Sequence, residues 1–126
     1  MRNGGEWTEA RFNSFVKSAL RAASRRWPPK YQTLNESFVA TKKNASSGRN
    51  AKHYKCAGCN GDFPAKEVQV DHIDPIVDPE KGFESWDLMI ERMFCEKEGL
   101  QVMCLSCHKN KTNAERRRAK ECRDGK

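Results

Sequence analysis

The sequence lacks any long hydrophobic run. Of its 126 residues, 37% are hydrophobic and 33% are charged, and the mean hydropathy is −0.93. No apolar stretch approaches the roughly 18 residues that span a bilayer, and no hydrophobic signal-peptide core follows Met1. We therefore expect neither a membrane protein nor a secreted precursor. The length predicts one domain, or one small domain with an appendage, and the cysteine spacing predicts a reducing, cytoplasmic compartment.

Acidic residues are scarce at both ends of the chain. The net charge is +7. Residues 1–52 carry 11 basic and 3 acidic side chains, residues 53–101 carry 5 and 11, and residues 102–126 carry 8 and 3. This basic–acidic–basic order suggests that the two flanking segments bind a polyanion and that the middle segment binds a positively charged group. The alternative is a well-solvated surface that serves no partner.

The six cysteines do not have the spacing of a disulfide framework. Four of them form two CxxC pairs, Cys56–Cys59 and Cys104–Cys107, whereas Cys95 and Cys122 stand alone. Two CxxC pairs in a chain without a secretory signal are typical of a Zn²⁺ site with four thiolate ligands. A redox-active CxxC pair is the competing interpretation, but it would not explain the second pair. The predicted compartment is therefore a reducing one.

Hydrophobic periodicity predicts helices in the N-terminal part. Apolar residues at 3–4 spacing predict an amphipathic helix that begins near Thr8 and is ended by Pro28-Pro29. A second, weaker helix is predicted near Leu34–Lys43, followed by a loop or hinge over residues 44–52. The polar face of the first helix is basic. Its Arg21 and Arg25 are candidate DNA contacts, with an ordinary solvated face as the alternative.

The rest of the chain is predicted to contain two strands and two helices. Alternating residues predict a strand over residues 67–73, and a second strand over residues 100–103 runs into the second CxxC pair. A final helix is predicted to begin near Leu105. Between the strands, Ser85 is a candidate N-cap for a helix with one apolar stripe. The stripe, which we expect to lie in the core, comprises Trp86, Met89, Ile90, Met93 and Phe94.

Two of the three histidines lie beside these elements. His72 follows Asp71 at the end of the first strand, and His108 directly follows a predicted zinc ligand. A Zn²⁺ ion with four thiolates has no open position and is structural, but it would hold these three side chains in a fixed relation. A carboxylate and an imidazole suit a second divalent ion with open positions, such as Mg²⁺ or Mn²⁺. An unligated His72 would be free to take a proton from water. The alternative is that these histidines are ordinary structural residues.

The stretches VDHIDPI and LQVMCLSCHKNKT, together with the CxxC pairs, closely resemble the HNH endonucleases of the ββα-metal (His-Me finger) superfamily. The nearest likeness is to small phage-encoded HNH proteins, and it covers about residues 53–115. The resemblance implies metal-dependent hydrolysis of DNA phosphodiester bonds, by nicking or double-strand cleavage. It makes His72 the general base, and it makes Asp71 and His108 the ligands of the catalytic ion. It also implies that the four cysteines form a structural zinc site.

One position departs from the family pattern. The family's middle Asn, which orders the loop of the motif and positions the base, is replaced in this chain by Gly99. Asn110 and Asn113 are candidates to take over part of that role. The departure removes neither the base nor the ligands that the resemblance implies, but it leaves open how His72 is oriented.

The sequence therefore predicts an α+β protein. We expect a helical, basic segment over residues 1–52 and an HNH nuclease domain over residues 53–126. The zinc site is expected to cross-link the ββα-metal module of that domain. Candidate DNA contacts on the final helix are Lys111, Arg116 and Arg117, with helix-surface solvation as the alternative. DNA is the expected partner, and phage or host DNA-processing proteins are further candidates.

Two other functions remain open from the sequence. A non-catalytic zinc-ribbon DNA-binding protein would explain the charge pattern and the four cysteines, but it leaves Asp71, His72 and His108 without a role. A redox or disulfide protein would explain the cysteines alone. Of the three readings, only the nuclease uses all of these residues.

Overall fold

The computed structural model describes residues 2–124 and combines helices with two small antiparallel sheets. The helices are α1 (Glu9–Ser24), α2 (Pro28–Glu36), α3 (Trp86–Met93) and α4 (Leu105–Asp124). Strands β1 (Phe38–Lys43), β2 (Asn50–Lys55) and β3 (Asp62–Pro64) form one sheet in that order, and β4 (Val68–His72) pairs with β5 (Leu100–Cys104) in the other. The predicted mixture of α and β structure is confirmed. None of these helices has both the length and the apolarity to cross a bilayer.

The N-caps predicted from the sequence are present in α1 and α3. The hydroxyl oxygen of Thr8 accepts a hydrogen bond from the backbone N–H of Arg11 at 3.1 Å. The hydroxyl oxygen of Ser85 likewise accepts one from Leu88 at 3.2 Å. Each cap satisfies one of the backbone N–H groups that a helix leaves unpaired at its start, which typically contributes about 1 kcal/mol. These side chains therefore fix where the two helices begin.

The prediction of a helix over Leu34–Lys43 was wrong. Helix α1 ends at Ser24, ahead of Pro28-Pro29, and these prolines begin α2, because proline fits the first turn of a helix where its missing N–H is not needed. Residues 38–43 form strand β1, which pairs with β2 and stacks Phe38 edge-on against Tyr54 with ring centroids 6.1 Å apart. The predicted loop over residues 44–52 is shorter than expected because β2 begins at Asn50. The predicted domain boundary between residues 52 and 53 falls within this strand.

The core lies between the two sheets and α2. Tyr54, Val68 and Val102 form a buried cluster, against which Leu34 and Phe63 pack. A second cluster contains Cys56, Met103 and Cys104, again with Phe63 against it. The core of the protein is thus continuous with the first cysteine of one CxxC pair and the first cysteine of the other.

The apolar stripe of α3 is only partly core. Met89 and Met93 are 3% and 0% exposed, whereas Ile90 is 42% exposed, so the prediction was wrong for Ile90. Successive residues of a helix are rotated by about 100°, and the side of α3 that carries Met89 faces inward. At the end of this helix, the Trp27 indole N–H donates to the carbonyl of Cys95 at 2.6 Å, which ties the α1–α2 junction to this region.

The β4–β5 ladder determines which way the candidate site residues face. Asp71 pairs with Gln101, and His72 pairs with Leu100. Neighbouring residues of a strand point to opposite faces, so Asp71 points toward α4 and His72 toward the end of α3. Both border one cleft at the end of β4. Helix α4 begins directly after β5 and packs against both strands. The order of these elements is strand, strand, helix, with α3 between the strands.

Candidate metal centre and adjoining cleft

The two CxxC pairs meet in one cluster. The sulfur atoms of Cys56, Cys59, Cys104 and Cys107 all lie within 4.8 Å of one another. A tetrahedral ion with Zn–S bonds of about 2.3 Å separates its sulfur ligands by about 3.8 Å, so the cluster fits such an ion. The four cysteines could therefore bind Zn²⁺ or another metal. This is the arrangement that the spacing of the two pairs predicts.

The first CxxC pair lies in a tight turn between β2 and β3. The backbone N–H of Cys56 donates to the carbonyl of Gly61 at 2.8 Å, and that of Asn60 donates to the carbonyl of Cys56 at 2.9 Å. Asn60 has a left-handed φ of 62°. A Cβ atom at Gly58 would come within 3.1 Å of the Cys107 side chain, so a larger residue would push the two halves of the cluster apart. The turn thus needs a small residue at this point.

The backbone around the cluster favours negatively charged sulfur. The sulfur of Cys56 accepts hydrogen bonds from the N–H groups of Gly58 at 3.3 Å and Cys104 at 3.2 Å. Burial raises the pKa of Cys56, but these and neighbouring hydrogen bonds outweigh it and lower the pKa to about 6. At Cys107, the neighbouring Cys104 thiol and burial raise the pKa to about 12. The first thiol therefore ionises readily, but four adjacent thiolates need a bound cation to coexist.

The cluster lies where the turn after β2 meets the junction of β5 and α4. The backbone N–H of Ala57 donates to the carbonyl of Val102 at 2.8 Å, so the first CxxC turn lies on β5. The second pair spans the junction at which β5 ends and α4 begins. Asp71 and His72 of β4 are thereby connected to His108 of α4 through β5.

A cleft of about 240 Å³ lies beside this junction. Asp71, His72 and His108 all line it, as do Lys111 and Glu115 of α4 and, from α1, Arg21. The nearest atoms of Asp71 and His108 are Oδ1 and Nε2, which are 3.6 Å apart. The three residues singled out from the sequence are therefore brought together in space, although they come from a strand and a helix far apart in the chain. His72 also borders a second depression, beside Cys95 and Gly99.

Lys111 reaches into the cleft and contacts Asp71. Its ammonium group lies 3.1 Å from Oδ2 of Asp71, 2.7 Å from Oε1 of Glu115 and 2.9 Å from the backbone carbonyl of His72. Burial alone would lower the pKa of Lys111, but the two carboxylates outweigh it and raise that pKa. The ammonium is thus held by three acceptors and is only 23% exposed. The sequence predicted Lys111 as a phosphate contact and did not reveal these partners.

His72 is oriented by a backbone carbonyl. Its Nε2 lies 2.8 Å from the carbonyl oxygen of Met93, at the end of α3. A carbonyl can only accept, so Nε2 carries the proton in this hydrogen bond and Nδ1 of the neutral ring is left with a lone pair. Nothing in the sequence identifies a backbone carbonyl as the partner of a particular side chain.

Gly99 has little room for a side chain. A Cβ atom at Gly99 would lie 2.9 Å from the sulfur of Cys95, so a side chain would require Cys95 to move. The carbonyl of Gly99 accepts a hydrogen bond from Ile73 at 2.9 Å, which fixes the chain just after His72. Asn110 and Asn113 are exposed, and no hydrogen bond within residues 2–124 joins either of them to His72.

The predicted DNA contacts lie in different settings. Arg21 lines the cleft, whereas Arg25 caps the end of α1 and is exposed. Arg116 and Arg117 are exposed on α4, and Arg116 borders a shallow depression beside residues 77–82. One hydrogen-bond partner of Asp71 was not identified from the sequence. Gln101 donates to Oδ2 of Asp71 at 3.4 Å, and the β4–β5 register that pairs the two residues is the signal that could have revealed it.

The geometry thus consists of a closed cluster of four thiols and, beside it, an open cleft with one carboxylate and two imidazoles. The ammonium group of Lys111 also lines that cleft. No protein-family model, no curated protein and no solved structure matches this chain.

Proposed function

We propose that this protein is a metal-dependent endonuclease that hydrolyses DNA phosphodiester bonds, in the manner of the HNH family. The observation that carries the proposal is the meeting of Asp71, His72 and His108 in one cleft, with 3.6 Å between the nearest atoms of Asp71 and His108. The β4–β5–α4 order supports a ββα-metal module over residues 53–126. The basic residues of the flanking segments supply the charge for a polyanionic substrate.

His72 acts as the general base. Its Nε2 is engaged by the Met93 carbonyl at 2.8 Å, which leaves the Nδ1 lone pair to take a proton. A water oxygen forms the new bond to phosphorus, and the proton of that water passes to Nδ1. The bond from phosphorus to the 3′ oxygen breaks, and the leaving oxygen takes up a proton from solvent. Proton transfer to a positioned base typically contributes a rate factor of about 10² to 10⁴.

Asp71 and His108 are the candidate ligands of the catalytic ion. Octahedral bonds of about 2.1 Å place adjacent ligands about 3.0 Å apart and opposite ligands about 4.2 Å apart, and the observed 3.6 Å lies between. Lys111 holds Oδ2 of Asp71, so Oδ1 is the oxygen that faces His108. Two protein ligands leave positions for water and phosphate. When bound, a divalent ion such as Mg²⁺ or Mn²⁺ would supply positive charge at the phosphate and the leaving oxygen.

The four-cysteine cluster holds a structural Zn²⁺ in this proposal. Four thiolates complete a tetrahedral ion, so the cluster offers no position at which water could be activated. Its role is to join β5, the start of α4 and the turn after β2. The cleft owes its shape to that connection, because Asp71 and His108 belong to two different elements that meet there.

A zinc-ribbon protein that binds DNA without cutting it is the second candidate. The observation that favours it is the ammonium of Lys111, which already places a positive charge 3.1 Å from Asp71. In that case Asp71, Lys111 and Glu115 would form a structural ion-pair network, and His72 would be a structural hydrogen-bond donor. Both candidate functions predict DNA binding, so only a DNA-cleavage assay distinguishes the nuclease from the zinc-ribbon protein.

The test is conversion of supercoiled plasmid by protein that has been loaded with zinc and dialysed free of other metals. We expect no conversion in this buffer, and nicked or linear products when Mg²⁺ or Mn²⁺ is added, at unchanged zinc content. Binding without cleavage in every ion would reject the nuclease in favour of the zinc-ribbon protein. The variant Asp71→Asn should lose the response to added ion while it retains zinc.

A further inference from the structure

The hairpin of β1 and β2 is the most one-sidedly charged element outside the cleft. Residues 38–55 contain five basic side chains and no acidic one. These basic residues are Lys42, Lys43, Arg49, Lys52 and Lys55. Most residues of the two strands are exposed, and β1 lies at the edge of its sheet. The hairpin thus presents a two-stranded basic ribbon to the surroundings.

Both ends of this ribbon are held in place. At its base, Tyr54 is 6% exposed and packs with Val68 and Val102. At its tip, the backbone N–H of Asn44 donates to the carbonyl of Arg49 at 2.8 Å, and Gly48 adopts a left-handed φ of 71° that closes the turn. The ribbon is therefore an ordered projection from the core. Cationic groups on such a support lose less conformational entropy on binding than groups on a flexible loop.

The register of the strands places unpaired cations on one face. Lys43 pairs with Asn50, and Lys52 pairs with Thr41, so all four side chains share a face. Lys42 points to the other face and forms an ion pair with Asp62 of β3. Among residues 2–124, no ion pair involves Lys43 or Lys52. This face carries two free charges beside two neutral hydrogen-bonding side chains.

Protection of a sheet edge explains only part of the pattern. Lysines on an edge strand commonly prevent pairing with other chains, and that role suits β1. It also suits Lys52, because β3 pairs only with residues 53–55 of β2. Arg49, however, lies in the turn between the strands, where there is no edge to protect. Its charge requires another reason.

We propose that this ribbon is a separate DNA-binding element, in which Lys43, Arg49 and Lys52 contact backbone phosphates of duplex DNA. A two-stranded ribbon fits the major groove of B-form DNA, and phosphate contacts fix its orientation there. The proposal rests on the proposed function for its choice of DNA as the polyanion. It adds a contact surface that is independent of the cleft and of the helix residues predicted from the sequence.

The test is the salt dependence of binding to a fluorescent duplex of about 25 base pairs, a length well beyond one helical turn. It is measured with the full chain, zinc-loaded and without Mg²⁺ or Mn²⁺. The triple variant Lys43→Gln, Arg49→Gln, Lys52→Gln removes three phosphate contacts. We expect its slope of log K against log salt to be shallower than that of the parent by about 2.7, and its affinity at low salt to fall at least about 10-fold.

The matched control removes the same charge elsewhere, with Lys66→Gln, Lys81→Gln and Lys97→Gln. The proposal requires this control to change the slope by less than half as much as the hairpin variant. An unchanged slope in the hairpin variant, or an equal change in the control, overturns it. The charge-preserving variant Lys43→Arg, Arg49→Lys, Lys52→Arg should bind like the parent, and weak binding by this variant would also overturn the proposal.

Plasmid cleavage by the parent distinguishes this proposal from the proposed function. If the parent binds DNA through the hairpin but does not cut it in any ion, the DNA-binding ribbon is supported and the nuclease is rejected. If the parent cuts DNA and the hairpin variant has the same salt slope as the parent, the nuclease is supported and the DNA-binding ribbon is rejected. If the parent binds no duplex DNA, the DNA-binding ribbon is also rejected.

Discussion

The four-cysteine cluster and the neighbouring cleft lie on the same two elements, β5 and α4, but they are built in opposite ways. The cluster gathers four sulfur atoms within 4.8 Å, and its first cysteine is 0% exposed. The cleft has two candidate ligands and space of about 240 Å³. A complete ligand set favours stability, whereas an incomplete one leaves positions for water and substrate. In our proposal the cluster holds the fold and the cleft performs the chemistry.

Loss of the cluster should have the largest effect. Cys56→Ser removes a thiolate that contacts the core, so we expect loss of the bound Zn²⁺ and a fall in the free energy of unfolding of at least about 3 kcal/mol. Elemental analysis and thermal unfolding by circular dichroism measure the two effects. Cys122→Ser is the control, because Cys122 lies outside the cluster and a serine can still donate to the Glu80 carbonyl. A folded, metal-free Cys56→Ser protein with parental stability would contradict a structural zinc site.

Loss of the ammonium in the cleft should have an intermediate effect. Lys111→Met removes the ammonium from Oδ2 of Asp71 and from Glu115. The carboxylate that faces His108 is then fixed only by the longer hydrogen bond from Gln101. We expect plasmid cleavage to slow by about 10-fold, equivalent to about 1.4 kcal/mol of transition-state stabilisation. Zinc content should not change. The matched control is Lys109→Met on the exposed side of α4, and equal rates for the two variants would show that Lys111 does not position Asp71.

Removal of the α1 arginine should have the smallest effect. Arg21 and Arg25 are both exposed, but only Arg21 lines the cleft, and no ion pair among residues 2–124 involves it. Arg21→Gln should reduce cleavage about threefold to fivefold at saturating DNA, less than 1 kcal/mol. Arg25→Gln should change only the DNA concentration needed for half-maximal rate. The measurement is the rate of cleavage by each variant as a function of DNA concentration up to saturation. An unchanged maximal rate in Arg21→Gln would exclude a role for Arg21 at the reacting phosphate.

The sequence predicted the elements with strong local signals. The capped, periodic helices α1 and α3, the β4 and β5 strands and the four-cysteine cluster follow from side-chain spacing, which is a local property. Strand β1 was missed because its short segment has no strict alternation. It is a strand because β2 pairs with it and Phe38 stacks on Tyr54, and both contacts depend on tertiary structure.

The sequence predicted which residues form the candidate site but not which groups those residues contact. Asp71, His72 and His108 were identified from the sequence, and they do lie together. The Met93 carbonyl beside His72 and the three acceptors around Lys111 have no sequence signature, because they depend on where α3 ends and how α4 lies on β4. The i,i+4 spacing of Lys111 and Glu115 indicates only one of those contacts.

The most direct test of a structural cluster beside a catalytic cleft is the rate of plasmid cleavage by zinc-loaded His72→Ala in Mg²⁺, measured beside the zinc-loaded parent. We expect the variant to retain the zinc content of the parent, to melt within a few degrees of it, and to cut at least about 100-fold more slowly. A folded, zinc-containing His72→Ala protein that cuts as fast as the parent would contradict the assignment of His72 as the base.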